Sequence, residues 1–142
     1  MARNTNRANE WRINNTEKYK SISKHWRDNS ERGYWSKKIA TLRANSRNRG
    51  GMECTLSVDD LMKMYEDQQG LCSISGRILE KTNKRSLNSL SIDRIDGSIG
   101  YIVSNIRMVC LQVNVARLFG SDEELFVLCT DILAWREKSL SI

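Results

Sequence analysis

The stretch SIDRIDGSIGYIVSNIRMVCLQVNVAR, residues 91–117, decides the fold of this chain. Leading into it, SLSID (89–93) alternates small polar and apolar residues, which is typical of a short strand. Aspartate, serine and glycine at 96–100 interrupt that pattern and predict a loop, and IRMVC (106–110) then resumes an extended apolar run. These residues predict two strands joined by a long loop, which is a β-hairpin.

A helical pattern follows the hairpin. In LQVNVARLF (111–119) an apolar residue recurs at every fourth position, so a helix is expected there, with Asn114 in its first two turns. The order strand, loop, strand, helix is a ββα unit. It brings Asp93, at the end of the first strand, near Asn114 on the helix.

This pair predicts a site for a hard cation. A carboxylate and an amide oxygen suit Mg²⁺, which keeps several waters and rarely takes an all-protein set of ligands. We therefore expect Mg²⁺ or Mn²⁺ at Asp93 and Asn114, and the chemistry that this implies is phosphodiester cleavage.

The motif order DRID, GY, N and then C and N, within residues 93–114, resembles the HNH or ββα-metal endonuclease family, particularly its phage and restriction-enzyme branch. The resemblance implies an α+β fold, with a ββα-metal core, and a divalent-metal-dependent DNA endonuclease. It implies that Asp93 and Asn114 are the metal ligands and that Asn105 braces the loop which aims the catalytic side chain. It further implies that Arg117 contacts DNA phosphate.

One position departs from most of the family. The residue after Asp93 is usually a histidine that serves as general base, and here it is Arg94. Because arginine stays protonated, we expect Arg94 to clamp the scissile phosphate instead, as in a restriction-enzyme subgroup that this chain resembles. The general base is left open between a water on the metal, Tyr65 and the lone His25.

The cysteines bear on zinc. Many relatives hold the core with a Cys₄ site built from two CxxC knuckles, and the matching segments here are CSIS and CLQV. The second cysteine of each knuckle is replaced, by Ser75 after Cys72 and by Val113 after Cys110. Two thiolates do not make a closed structural zinc site, so we expect no structural zinc and two small buried side chains.

The net charge differs between the first third of the chain and the rest. Residues 1–51 hold 13 Lys+Arg against 4 Asp+Glu, or +9, and residues 52–142 hold 10 against 13, or −3. We therefore expect a basic helical DNA-binding arm (1–51), with WR repeated fifteen residues apart, followed by an HNH-like nuclease domain (52–142). The expected contacts to double-stranded DNA are Arg12, Arg27, Lys37, Lys38, Arg43, Arg47, Lys84, Arg85 and Arg117.

Three further helices are expected around the hairpin. One is a basic helix over 35–51 that ends at two glycines, and a second is capped by Ser57. The third opens at a capping box of Ser121 and Glu124 and carries a broad apolar stripe, which favours a core helix over a partner site. A symmetric dimer through this last helix stays open.

The composition bears on the compartment in which the chain is expected to fold. No apolar run reaches the length needed to span a membrane, and four cysteines without a disulfide-like framework fit a reducing cytoplasm, that of a bacterial host if the chain is phage-encoded. Two other functions stay open. The chain could be a nucleic-acid-binding protein that has lost cleavage, or a structural or regulatory phage protein that binds another protein.

Overall fold

The computed structural model describes residue 10 and residues 16–140; the side chains of Tyr19, Ser23, Trp26, Arg27 and Asp28 are outside the description. The described part is an α+β structure in which five α-helices surround one small antiparallel sheet. In chain order the elements are α1 (Thr16–Asn29), α2 (Glu31–Asn48), α3 (Val58–Asp67), β1 (Leu90–Arg94), β2 (Ile106–Cys110), α4 (Leu111–Arg117) and α5 (Asp122–Leu140).

The predicted hairpin is confirmed. β1 and β2 pair antiparallel with Leu90 opposite Cys110 and Arg94 opposite Ile106. A 3₁₀ turn at Val103–Asn105 precedes β2. α4 starts directly after β2, so the strand, loop, strand, helix order is present.

The helix α4 is shorter than its apolar spacing predicted. It ends at Arg117, because Leu118 adopts a left-handed φ of 49° that stops the helix. Phe119, which the pattern placed on the helix, is 96% exposed. The prediction of a helix through residue 119 was therefore wrong, and it failed because apolar spacing does not mark where a backbone reverses.

The core lies between α2, α3 and the hairpin. Trp35, Ile39 and Leu42 share one face of α2 and are buried with Leu61 of α3 and Met108 of β2. The boundary at residue 51, between a DNA-binding arm and a nuclease domain, stays a prediction. Helix α2 was assigned to the arm, but it supplies part of the core of the body.

Helix boundaries follow the expected caps. Ser57 and Asp60 form a reciprocal capping box at the start of α3. At the start of α5, the Ser121 backbone N–H donates to Glu124 at 2.6 Å and the Glu124 N–H donates to the Ser121 hydroxyl at 3.2 Å. Both predicted N-termini are confirmed.

An aromatic cluster holds a lysine against α2. The Nζ of Lys81 lies 4.6 Å from the ring centroid of Tyr65. Its distances to the ring centroids of Tyr34 and Trp35, 6.0 and 5.8 Å, are near the outer limit of a cation–π contact. It also donates to Glu31 at 2.8 Å, which lowers the pKa of that carboxyl. Burial, and then the neighbouring Tyr65, raise the pKa of Tyr34 to about 12.

The last helix departs from expectation. Of its 19 residues only Leu125 is buried, and the rest of its apolar side chains face outward. The prediction that α5 is a core helix was therefore wrong. Its capping box and its apolar pattern are present, but the body ends beneath its first turns, so nothing in the described residues covers the remainder.

Cys72 and Cys110 are buried, as expected. Burial raises the pKa of the Cys72 thiol, but hydrogen bonds involving Ser75 and the backbone of Cys110 and Ile74 together outweigh it, and the net pKa is lowered. Across residue 10 and residues 16–140, no cluster of three or more metal-ligating side chains occurs. The absence of structural zinc stays a prediction. In the same part of the chain, no helix combines the length and the apolar character needed to cross a membrane.

Candidate active site

A cleft of about 820 Å³ lies between α2 and the ββα unit. One wall is a single face of α2, and the other is formed by β1, the loop after it and α4. The polar side chains that line the cleft include Lys38, Thr41, Asn45, Arg49, Ser91, Asp93, Arg94, Asn114 and Arg117. Five of the residues singled out in the sequence, Lys38, Asp93, Arg94, Asn114 and Arg117, therefore meet here.

Asp93 is buried between two arginines. Arg107 Nε donates to one carboxylate oxygen of Asp93 at 2.9 Å, and Arg117 Nη1 donates to the other at 3.2 Å. Asp93 is 6% exposed, so these are buried charge-assisted bonds rather than surface ion pairs. The side chain is fixed in place with both its oxygens engaged.

The same two arginines hold a second carboxylate. Arg107 bonds Asp122 with two nitrogens at 2.6 Å each, and Arg117 Nε reaches it at 2.9 Å. The hydrogen bond from Arg107, opposed by desolvation and aided by Arg107's charge and by Arg117, lowers the pKa of Asp122 to about 2. Hydrogen bonds to Asp122 and Asp93 raise the pKa of Arg107. Two carboxylates and two guanidinium groups thus form one alternating network.

Asn114 lies on the α4 side of the cleft. Its Nδ2 donates to the hydroxyl of Ser91 at 2.8 Å, which ties α4 to β1. Because the nitrogen is used in this bond, the amide oxygen is the end left for a ligand, and no described residue donates to it.

Arg94 turns its guanidinium into the loop that follows β1. Its Nη1 donates to the carbonyl oxygens of Gly97 at 2.8 Å and Ile99 at 3.1 Å, and the group lies over the ring of Tyr101 at 5.2 Å. Arg94 also lines the cleft. Its role as a phosphate clamp stays a prediction, and it carries a structural role as well.

Asn105 braces the same loop. Its Oδ1 accepts from the backbone N–H of Asp96 at 2.9 Å, and its Nδ2 donates to the carbonyls of Asp96, Ile99 and Gly100. Asn105 is buried in doing so. The bracing geometry is present, and its effect on catalysis stays a prediction.

The wall formed by α2 adds residues that the sequence reading missed. Thr41, Asn45 and Arg49 follow Lys38 at helical spacing and line the cleft with it. The guanidinium of Arg49 makes no hydrogen bond or ion pair with any described residue, so it is free to meet a phosphate. These residues could have been found in the sequence, because positions 38, 41, 45 and 49 follow one another at intervals of three or four residues and so share one side of a helix.

The amino group of Lys38 already makes one hydrogen bond within the chain. Its Nζ donates to the carbonyl of Leu90 at 2.8 Å, and burial, followed by the charge of Lys84, lowers its pKa. Lys37 and Arg47 are exposed on α2 away from the lining of the cleft, and Arg43 donates to the carbonyl of Leu56 at 3.3 Å.

The other predicted DNA contacts lie elsewhere. Lys84 and Arg85 are exposed on the loop before β1, Arg12 lies outside the described residues, and the side chain of Arg27 is not described. Of the two side chains considered as a general base, His25 is on α1 beside Asn29 and Tyr65 is in the aromatic cluster. Neither lines the cleft.

The donor set fits a divalent ion with one condition. Each carboxylate oxygen has two lone pairs, so Asp93 can accept one bond from an arginine at each oxygen and still offer a free lone pair. The Asn114 oxygen is a second hard donor. The condition is that Arg107 and Arg117 share Asp93 with the ion, or that one of them moves aside.

Comparison of the chain with protein-family models, with curated proteins and with solved structures found no match.

Proposed function

We propose that this chain is a divalent-metal-dependent endonuclease of the HNH kind that hydrolyses phosphodiester bonds in double-stranded DNA. The observation that carries the proposal is the composition of one cleft. A carboxylate and an amide oxygen, Asp93 and Asn114, lie in it with four cationic side chains. Those side chains are Lys38, Arg49, Arg94 and Arg117.

The cationic lining favours a polyanionic substrate. Phosphate contacts supply most of the affinity of nucleic-acid binders, and they fix the position of the backbone in the site. The guanidinium of Arg49, which no described residue engages, can make such a contact, and Lys38 extends the same face of α2. A DNA strand in the cleft would thus lie along α2, with its phosphate against β1 and α4.

The ββα side of the cleft supplies the groups for hydrolysis. Asp93 and Asn114 would hold the divalent ion, which when bound polarises a phosphoryl oxygen and lowers the pKa of water. Arg94 would supply fixed positive charge where negative charge grows in the transition state, and Arg117 would add to it while it stays bonded to Asp93 and Asp122. Asn105 keeps the loop, and with it Arg94, in place.

The test compares Asp93→Asn with the parent in a supercoiled-plasmid cleavage assay with Mg²⁺ or Mn²⁺ and a chelator control. Asparagine keeps the shape but removes the charge, so cleavage should be lost while DNA binding is kept. Because Arg107 then loses a buried partner, folding is checked by circular dichroism. Asp67→Asn, an exposed aspartate paired with Lys63, is the matched control.

Asn114→Ala gives a second, less buried probe of the same ligand set. It should also abolish cleavage without unfolding the chain. Full cleavage activity in both Asp93→Asn and Asn114→Ala would rule out the proposed site.

A second function is favoured by the ion network. Asp93 is neutralised by two arginines, and an arginine stands where most relatives have a basic histidine. Both facts suit a nucleic-acid-binding protein that no longer cleaves. Tight DNA binding by the parent, with no cleavage under any divalent metal, would make this the better description.

A further inference from the structure

Helix α5 presents an apolar face that no described residue covers. This face is buried at Leu125 and continues along the helix past the edge of the body, where every residue from 126 to 140 is exposed. Leu128, Ile132 and Trp135 follow Leu125 at intervals of three, four and three residues, so their side chains lie on the same side of the helix. Trp135 is 72% exposed, which is rare for a tryptophan unless something covers it.

The side chains on this face are large and apolar. Trp135, of a residue type that can bury about 150–250 Å², shares the face with the exposed aliphatic side chains of Leu128 and Ile132. Neighbouring exposed side chains of this kind are typical of an interaction site.

The charges along α5 are self-complementary. Its first turn is acidic, with Asp122, Glu123 and Glu124, and its last turns carry two basic residues, Arg136 and Lys138, against the single acidic Glu137. When two such helices pair antiparallel, the acidic end of each meets the basic end of the other, and the helix dipoles also oppose. A parallel pair would put acid against acid.

The register is consistent with this pairing. Glu124 and Lys138 are fourteen residues apart (138 − 124), or about four turns, so they lie on the same flank of the helix. In an antiparallel pair centred on Asp131, Glu124 of each copy faces Lys138 of the other.

We infer that α5 is a homodimer interface, in which a second copy of this chain packs antiparallel along the face containing Leu128, Ile132 and Trp135. The pairing is a closed two-fold arrangement, in which the same patch is used on both copies. It stands without the proposed function. If the function also holds, the dimer carries two active sites related by a two-fold axis, as are the two strands of a duplex.

The first test is the mass of the full chain in solution by sedimentation equilibrium. The expected mass is twice 16.4 kDa. Ile132→Glu should return the chain to a monomer, since it places a charge in the middle of the face. Val127→Glu is the matched control, because Val127 is about as exposed as Ile132, at 61% against 56%, but points away from this face of α5. It should stay dimeric.

The direction of pairing has its own test. Asp131 lies near the two-fold axis of the antiparallel pair and meets its own copy, so Asp131→Asn should strengthen the dimer. Lys138→Glu should weaken it, because each copy then sets an acid against Glu124. Both variants change exposed residues and leave the core intact.

Three results would overturn the inference: a monomeric parent, assemblies larger than two copies, or a dimer that Ile132→Glu leaves intact. The mass does not depend on nuclease activity, so failure here is distinct from failure of the proposed function. If cleavage is present, the parent should linearise a plasmid and Ile132→Glu should only nick it.

Discussion

The guanidinium of Arg94 has two roles to consider, one in holding the loop after β1 and one in binding a phosphate. Its Nη1 holds the loop carbonyls of Gly97 and Ile99, while the side chain also lines the cleft that would take a phosphate. If Arg94 clamps the scissile phosphate, Arg94→Ala should lower turnover by about 10²-fold or more. Arg94→Lys should also lose much activity, because a point charge cannot reproduce a planar, two-pronged donor.

Turnover and thermal stability, measured on both variants, distinguish the loop-holding role from the phosphate-binding role. A residue that only fastens the loop would lower the melting temperature and leave turnover near the parent value at low temperature. Arg94→His that is more active than the parent would contradict the clamp and favour the alternative of a binding protein without cleavage.

At the level of single residues, motif spacing singled out groups with a chemical signature and gave no indication of groups that are defined by a partner. Asp93, Asn105 and Asn114 were predicted because their residue types and intervals resemble those of the HNH motif. Arg107 and Asp122 were not, since neither has a signature of its own. What gives them a role is the folding of α5 back against the hairpin, which no local pattern encodes.

Among the secondary-structure elements, α5 is attached to the hairpin by Asp122. The folded-state pKa of this carboxyl, about 2, lies below its ordinary value of about 3.9. A lowered pKa means that its contribution to stability is fully present above pH 4 and is lost as the pH falls through about 2. The groups that face it are Arg107 on β2 and Arg117 on α4, with Asp93 on β1 behind them.

Asp122→Asn should therefore lower the free energy of unfolding by about 2 kcal/mol at neutral pH, with a smaller difference from the parent at low pH. Urea denaturation at a fixed protein concentration and several pH values between 7 and 2 measures this. Glu123→Gln, the adjacent exposed carboxyl, is the control. Equal losses at pH 7 and pH 2 would mean that charge at Asp122 is not what attaches the helix.

The elements were predicted unevenly. The strands and the caps at Ser57 and Ser121 were correct, because alternation and capping residues act locally. The end of α4 and the exposure of α5 were not, since one depends on a backbone reversal at Leu118 and the other on how far the body extends. An apolar stripe shows that a helix needs a partner surface, but not whether that surface belongs to the same molecule.

For the whole molecule, the division of charge predicts how DNA binding responds to salt. α2 begins with Ser30 as its N-cap, so removing residues 1–29 keeps this helix intact. The truncation deletes seven basic residues, Arg3, Arg7, Arg12, Lys18, Lys20, Lys24 and Arg27. If they contact phosphate, binding should weaken.

The slope of log affinity against log salt should also become shallower, by about 0.9 for each phosphate that the truncated chain no longer neutralises. DNA-binding titrations of parent and truncated chains over a series of salt concentrations give both slopes. Identical slopes would show that the first 29 residues do not touch the duplex.

The bracing of the loop by Asn105 has a consequence for the thermodynamics of binding. Fixing a residue's backbone costs about 1–2 kcal/mol of conformational entropy, and here the bonds to Asp96, Ile99 and Gly100 meet that cost during folding. A nucleic acid that enters the cleft therefore finds this wall already ordered. Its association should lack the large heat-capacity change of coupled folding, so the loop behaves as a preformed template rather than a closing flap.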